Sequence, residues 1–82
     1  MATVILQTEF ARRYTGGQTR LTVAVADYSA LIETLEARFP GFEESLQGGM
    51  AVAIDGEIYQ SPLLEKIGAE SEVHFLPPIG GG

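Results

Sequence analysis

The chain contains no cysteine. Disulfides, thiol catalysis and thiolate metal sites are therefore excluded. Its single histidine, His74, cannot assemble a His/Cys metal cluster. Positive charge is also scarce: five Lys and Arg stand against eleven Asp and Glu, for a net charge of −6. A phosphate backbone or an anionic bilayer would repel such a surface, so neither nucleic acid nor membrane is expected as a partner. No apolar run approaches the roughly 20 residues that a membrane span requires. The opening Met1-Ala2-Thr3-Val4-Ile5-Leu6-Gln7 lacks the basic start of a signal peptide, which makes the cytoplasm the expected location. Gly16-Gly17 and Gly48-Gly49 do not precede helices at phosphate-loop spacing, so nucleotide-binding patterns fail as well.

What is present is the composition of a single folded domain: 82 residues, 45% hydrophobic and 20% charged. A chain of this length buries only about 60% of its unfolded surface, which leaves little room for a catalytic cleft beside a core. The charge is unevenly spread. Residues 1–26 carry three arginines against Glu9 alone, whereas residues 27–82 carry Arg38 and Lys66 against ten carboxylates. An acidic body of this kind favours a basic protein partner and speeds the encounter with it.

Thr3 to Ala11 alternates as a strand, with Val4, Leu6, Thr8 and Phe10 on one side and Ile5, Gln7 and Glu9 on the other. Tyr14-Thr15-Gly16-Gly17-Gln18 breaks the pattern, and its paired glycines suit a hairpin loop. Gln18 to Ala26 alternates again, with Leu21, Val23 and Val25 inward and Arg20, Thr22 and Ala24 outward. These two runs are expected to pair as an antiparallel hairpin. Asp27 and Ser29 are both candidate caps for the helix that follows, and the pattern does not choose between them. From Ala30 to Phe39 the apolar stripe is Leu31, Ile32, Leu35 and Phe39, with Glu33 and Glu36 off the stripe facing water. Pro40-Gly41 stops the helix, Phe42 to Leu46 adds a helical turn, and Gly48-Gly49 breaks again.

Met50 to Ile54 reads as a strand, Asp55-Gly56 as a two-residue hairpin turn, and Glu57-Ile58-Tyr59 as the return strand. Pro62 to Ile67 reads as a turn or single helical turn closed by Gly68. Glu72 to Leu76 is the last strand, with Val73 and Phe75 inward and His74 and Leu76 outward. Pro77-Pro78 ends it, since neither residue donates to a ladder. The predicted order is β-β-α-β-β-β. One amphipathic helix covers one face of a mixed sheet, which is an α+β roll of the β-grasp (ubiquitin-like) kind, its first and last strands central, parallel neighbours. Residues 1–78 form the expected domain and residues 79–82 a flexible tail.

No side-chain constellation suggests catalysis. His74 reads as an outward strand residue, Ser71 as loop, and Glu43-Glu44 and Glu70/Glu72 as solvated acids rather than acid/base pairs. The tail is different. At average usage near 7%, three terminal glycines arise in roughly 3 chains in 10,000, so composition alone does not explain them. A chain end that must enter a narrow active site benefits from having no Cβ. Ile79 to Gly82 reaches at most about 14 Å, enough to place a carboxylate in a partner's nucleotide site while the body stays outside.

The stretch Gly68-Ala69-Glu70-Ser71-Glu72-Val73-His74-Phe75-Leu76-Pro77-Pro78-Ile79-Gly80-Gly81 resembles the C-terminal signature of MoaD/ThiS ubiquitin-like sulfur carriers. The resemblance extends over the whole chain through the strand order and the helix ending Leu35-Glu36-Ala37-Arg38-Phe39-Pro40-Gly41, with the Pro-Pro-Ile-Gly-Gly ending its most specific part. Tyr14-Thr15-Gly16-Gly17-Gln18 is similar to the first hairpin of the carriers that serve cysteine synthesis. The Pro-Pro ending is similar to the small subunit of molybdopterin synthase. The resemblance implies an E1-like adenylyltransferase that uses ATP and Mg²⁺ to adenylate the terminal glycine. A sulfur donor protein then displaces AMP, leaving on Gly82 a thiocarboxylate for a downstream sulfur-acceptor synthase. The chain itself is implied to bind no cofactor and to be no enzyme.

The resembled family usually ends in two glycines and this chain in three, so either Gly82 is the working end of a longer tail or Gly82 is trimmed to expose Gly81. Gly82 is the expected working end, with Gly80 and Gly81 completing the tail. The outward Ile5, Ala24, Ala53 and Leu76, with Ile79 at the base of the tail, are the expected docking patch. Alternatives are a small subunit of molybdopterin synthase, a ubiquitin-like modifier joined to a target lysine, and a plain interaction domain with an idle tail.

Overall fold

Alternation in the first residues forms strand β1 (Ala2–Leu6), with Ala2, Val4 and Leu6 buried and Thr3 and Ile5 partly exposed. The computed structural model describes residues 1–46, 50–59, 62 and 64–76. The strand does not continue to Ala11 as the alternation predicts. Thr8–Tyr14 is instead a helix, α1. Phe10 and Tyr14 lie one helical turn apart with ring centroids 4.8 Å from each other, and Phe10 also meets Phe42 edge-on at 5.6 Å. Ala11 is fully buried between them in sequence. A helix brings all three to one side, whereas a strand would turn Ala11 away.

Past α1, Gly16 and Gly17 both have positive φ (66° and 92°), and the buried Thr15 hydroxyl lies 3.0 Å from the Ala11 carbonyl and 2.7 Å from that of Gln18. The chain thus returns as β2 (Arg20–Val23) through a helix-containing connection rather than a tight hairpin loop. β1 and β2 still pair antiparallel, from Ala2 opposite Val23 to Ile5 opposite Arg20. Leu21 and Val23 point inward as predicted, but β2 stops at Val23, short of Ala26.

Helix α2 (Tyr28–Arg38) is capped by Asp27, whose carboxylate accepts from the Ala30 N–H at 2.8 Å. Ser29 is the second residue of the helix, so the choice between caps is made by geometry. Starting before Ala30 adds Tyr28 to the buried stripe of Leu31, Ile32 and Leu35. A short helix α3 (Phe42–Ser45) follows Gly41, whose φ of 98° makes the corner. Glu36 does not simply face water: its carboxylate accepts from the N–H groups of Gly41 (3.0 Å) and Glu43 (2.9 Å) and so ties α2 to α3. These two bonds hold its carboxyl below the usual carboxylate range.

Strand β3 (Ala51–Ile54) turns at Asp55 (φ 50°) and Gly56 (φ 89°) into β4 (Glu57–Tyr59). Two consecutive positive φ angles are the type I′ geometry that Asp-Gly favours. Pro62 to Ile67 holds a turn, with the Glu65 N–H on the Pro62 carbonyl at 3.0 Å, and no helix among the described residues. Strand β5 (Glu72–Leu76) has the predicted bounds and the predicted facing.

The sheet order is β2-β1-β5-β3-β4. β1 and β5 are parallel and the other neighbours antiparallel, so the predicted β-grasp arrangement is the observed one. Its core joins sheet and helices through Phe75, whose ring meets Phe42 edge-on at 5.4 Å and Tyr28 at 6.3 Å. Gly48-Gly49, Pro77-Pro78 and the predicted tail at 79–82 lie outside the described residues.

Candidate functional site

The last strand carries the chain toward its glycine-rich end, so what fixes β5 fixes the root of the predicted tail. Its inward residues Val73 and Phe75 are 0% and 1% exposed. Its start is held by a polar latch. The Ser71 hydroxyl donates to Asp55 Oδ2 at 2.7 Å and accepts from the Gly68 N–H at 2.8 Å. Asp55 Oδ1 accepts from the Glu72 N–H at 3.0 Å, and the Asp55 N–H donates to the Glu72 carbonyl at 3.0 Å. The Ser71 hydroxyl, and after it the Glu72 N–H, hold the Asp55 carboxyl below its ordinary value. Ser71 is therefore no idle loop residue. It joins the β3–β4 turn to the start of β5.

The outward residues meet in one row across the sheet. Arg20 stands opposite Ile5, Ile5 opposite His74, His74 opposite Ala53, and Ala53 opposite Ile58. Leu76 follows His74 two residues along β5, opposite Ala51. Three of the predicted partner-binding residues, Ile5, Ala53 and Leu76, thus share one face and surround His74. Ala24 does not join them. It follows Val23, which pairs with Ala2, and so lies at the end of the sheet away from Leu76. The other predicted site residues, Ile79, Gly80, Gly81 and Gly82, lie outside the described residues.

Three members of this row, Arg20, Ile58 and His74, were not expected at the site. Ile58, 66% exposed, is the outermost apolar residue on the face. A two-residue turn at Asp55-Gly56 sets residue 58 opposite 53, so turn arithmetic contained the signal. His74, an outward strand residue as expected, is the centre of the row, and its Nε2 lies 3.2 Å from Glu72 Oε1. Open furrows flank the row. One runs along β3 and β5 past Ala53, Asp55, Glu70, Glu72, His74 and Leu76. The other borders Ile5, Gln7, Glu9 and Arg20 at the β1–α1 corner.

Such a surface suits docking better than small-molecule chemistry, because binding pockets for small ligands are concave and largely enclosed. Among the described residues no group of three or more His, Cys, Asp or Glu is placed to hold a metal ion, and no helix is long and apolar enough to cross a membrane. Ser71 faces Asp55 but no histidine, and its hydroxyl is already engaged on both sides.

Comparison with known proteins gives a consistent picture. The sequence model of the ThiS family matches residues 8–82. The molybdopterin synthase sulfur carrier subunit of Emericella nidulans is 32% identical over 81 residues, covering 88% of each chain. A chain in the crystal structure of the Amycolatopsis orientalis BexX/CysO complex superposes with a TM-score of 0.86 at 22% identity over the full length of both. CysO of Mycobacterium tuberculosis gives 0.83 at 24% identity, covering 96% of this chain and all of that one. The small archaeal modifier protein 1 of Methanosarcina acetivorans gives 0.81 at 17% identity, covering 99% and 95%. At these identities the structures establish the likeness of fold alone.

Proposed function

Because the chain belongs to the ThiS family of ubiquitin-like sulfur carriers, we propose that it carries sulfur as a thiocarboxylate on its C-terminal glycine, Gly82. An E1-like adenylyltransferase supplies ATP and Mg²⁺. The Gly82 carboxylate attacks the α-phosphorus, pyrophosphate leaves, and the acyl adenylate is the activated form. Hydrosulfide, delivered by a sulfur donor protein, then attacks the acyl carbon, AMP departs with the electron pair of the broken C–O bond, and loss of the sulfur-bound proton leaves the thiocarboxylate. Activation is needed because a carboxylate is a poor electrophile until it becomes a mixed anhydride. The chain's own part is to present the tail and dock the enzyme, here through Ile5, Ala53 and Leu76, with Ile79 at the tail's base and Gly80 and Gly81 as its slender shaft. ATP as co-substrate fits a cytoplasmic setting.

The observation that carries this reading is the central, doubly flanked strand β5 leading directly into Pro77-Pro78-Ile79-Gly80-Gly81-Gly82. A rigid strand aims the tail, and Pro77 and Pro78 reduce the entropy lost on insertion. The identity with a molybdopterin synthase sulfur carrier subunit favours a second, narrower reading, in which the tail delivers its sulfur inside a larger synthase subunit.

Intact-mass measurement tests the proposal. Incubation with the E1-like enzyme of the same genome, ATP, Mg²⁺ and sulfide is expected to exchange one oxygen of the full-length chain for sulfur. A chain lacking Gly81 and Gly82 is expected to stay unmodified. Modified species ending at Gly81 would refute Gly82 as the working end, and isopeptide conjugates without thiocarboxylate would make the protein a modifier instead.

A further inference from the structure

We propose that the outer sheet face docks a protein surface with an apolar centre and a cationic flank, the cations meeting Glu70 and Glu72 along the β3–β5 furrow. This rests on the carrier reading, since it specifies the surface that the activating enzyme brings.

Ile5, Ala53, Leu76 and Ile58 favour an apolar cover. Within the same footprint lie Glu72 and His74, their side chains 58% and 38% exposed and 3.2 Å apart. An apolar cover would strip water from the Glu72 carboxylate, and the neighbouring imidazole compensates only when protonated. A buried carboxylate is tolerated only when paired, so the cover has to supply a cation beside Glu72. The exposed Glu70 lines the same furrow and doubles the demand. Asp55 adds little to it, because its oxygens already accept from Ser71 and Glu72.

The opposite end of the row has the opposite sign. Arg20 extends the row beyond Ile5 and is exposed, with no ion pair among the described residues. The face is thus electrically polar, cationic at the β2 edge and anionic along β5. That polarity fixes how the partner is oriented: basic side toward β5, any acidic group toward β2. Electrostatic complementarity of this kind sets orientation and association rate more than final affinity.

Net charge alone would also attract a basic partner, so the test separates position from total charge. Glu43 and Glu44 sit on α3, whose Phe42 packs against the inner side of β5. Reversing them alters the total charge equally while leaving the outer face intact. Association of full-length protein with the E1-like enzyme of the same genome is measured by surface-immobilised binding at low and high salt, and adenylation separately by pyrophosphate exchange. Glu70→Lys/Glu72→Lys is expected to weaken association about tenfold or more at low salt and to flatten its salt dependence. Glu43→Lys/Glu44→Lys should change it by no more than about twofold.

Glu70→Lys alone, at an exposed turn, keeps the test available if the double variant is unfolded, with about a threefold loss expected. Equal losses from both double variants, no loss from either, or no association of the wild type would each overturn the inference. Tight, face-dependent association without any pyrophosphate exchange would support it while removing the carrier chemistry.

Discussion

The two faces of the sheet share five strands and one backbone, and they differ in almost everything else. Inward, Val4, Val73 and Phe75 are at most 1% exposed and pack with α2 and α3. Outward, the same strands present Ile5, His74 and Leu76, all partly open to solvent. Because side chains alternate along a strand, residues that stabilise the domain and residues available to a partner are chain neighbours. Phe75 and Leu76 make the contrast sharpest. On the proposed docking role of the outer face, substitutions one position apart should separate stability from recognition.

Breaking the inner face should have the largest effect. Phe75→Ala removes a ring that meets Phe42 at 5.4 Å and Tyr28 at 6.3 Å, and such truncations cost about 3–5 kcal/mol. A domain of this length has a total stability on the order of 4–12 kcal/mol, so the urea midpoint should fall by about a quarter or more. Breaking the outer face one residue later should do the reverse. Leu76→Asp is expected to lower stability by no more than about 1 kcal/mol while slowing adenylation through weaker docking. An unchanged adenylation rate in a folded Leu76→Asp variant would remove the outer face from the partner interface.

The contrast between faces was largely legible in the sequence, and the reasons are local. Strand β5, the turn at Asp55-Gly56 and the stripe of α2 each depend on neighbours within a few residues, so alternation and turn chemistry located them. Helix α1 was not legible in the same way. Thr8 to Ala11 satisfies a two-residue period as well as a helical one, and what decides between them is Phe10 packing on Phe42, far along the chain. Ile5, Ala53 and Leu76 could be assigned to a face by alternation, but which end of the sheet each occupies depends on register. That is why Ala24 separates from them and His74 becomes central. The Glu36 and Asp55–Ser71 contacts were invisible for a simpler reason: the first crosses the α2–α3 corner and the second joins residues 16 apart in sequence, and residue types specify neither geometry.

The helix covering the inner face offers a smaller and cleaner perturbation. Asp27→Ala removes the acceptor for the Ala30 N–H and should cost about 1 kcal/mol, with the typical range near 0.5–2. Ser29→Ala, inside the first turn, should be nearly silent. Equilibrium urea unfolding of the two variants checks the difference, and equal losses would mean that the cap is not Asp27.

The smallest expected effect lies where the two faces meet, at the latch that seats β5. Asp55 and Glu36 both have carboxyls held below their ordinary values, Asp55 by the Ser71 hydroxyl and then the Glu72 N–H, Glu36 by the N–H groups of Gly41 and Glu43. A carboxyl lowered in the folded state stabilises that state above its unfolded pKa of about 4, and the contribution disappears as pH falls through the lower folded value. Stability should accordingly decline below about pH 4–5 and be insensitive to these groups above it. Asp55→Asn isolates one share of that decline. Asn-Gly supports the same type I′ turn, so positive φ at position 55 survives while the titrating charge is gone. Melting temperatures from pH 6 down to pH 3 should therefore fall less steeply for Asp55→Asn than for the wild type, from a slightly lower starting point at pH 6. Parallel curves would mean that the latch holds β5 through hydrogen-bond geometry alone, with the ionised form of Asp55 contributing nothing of its own.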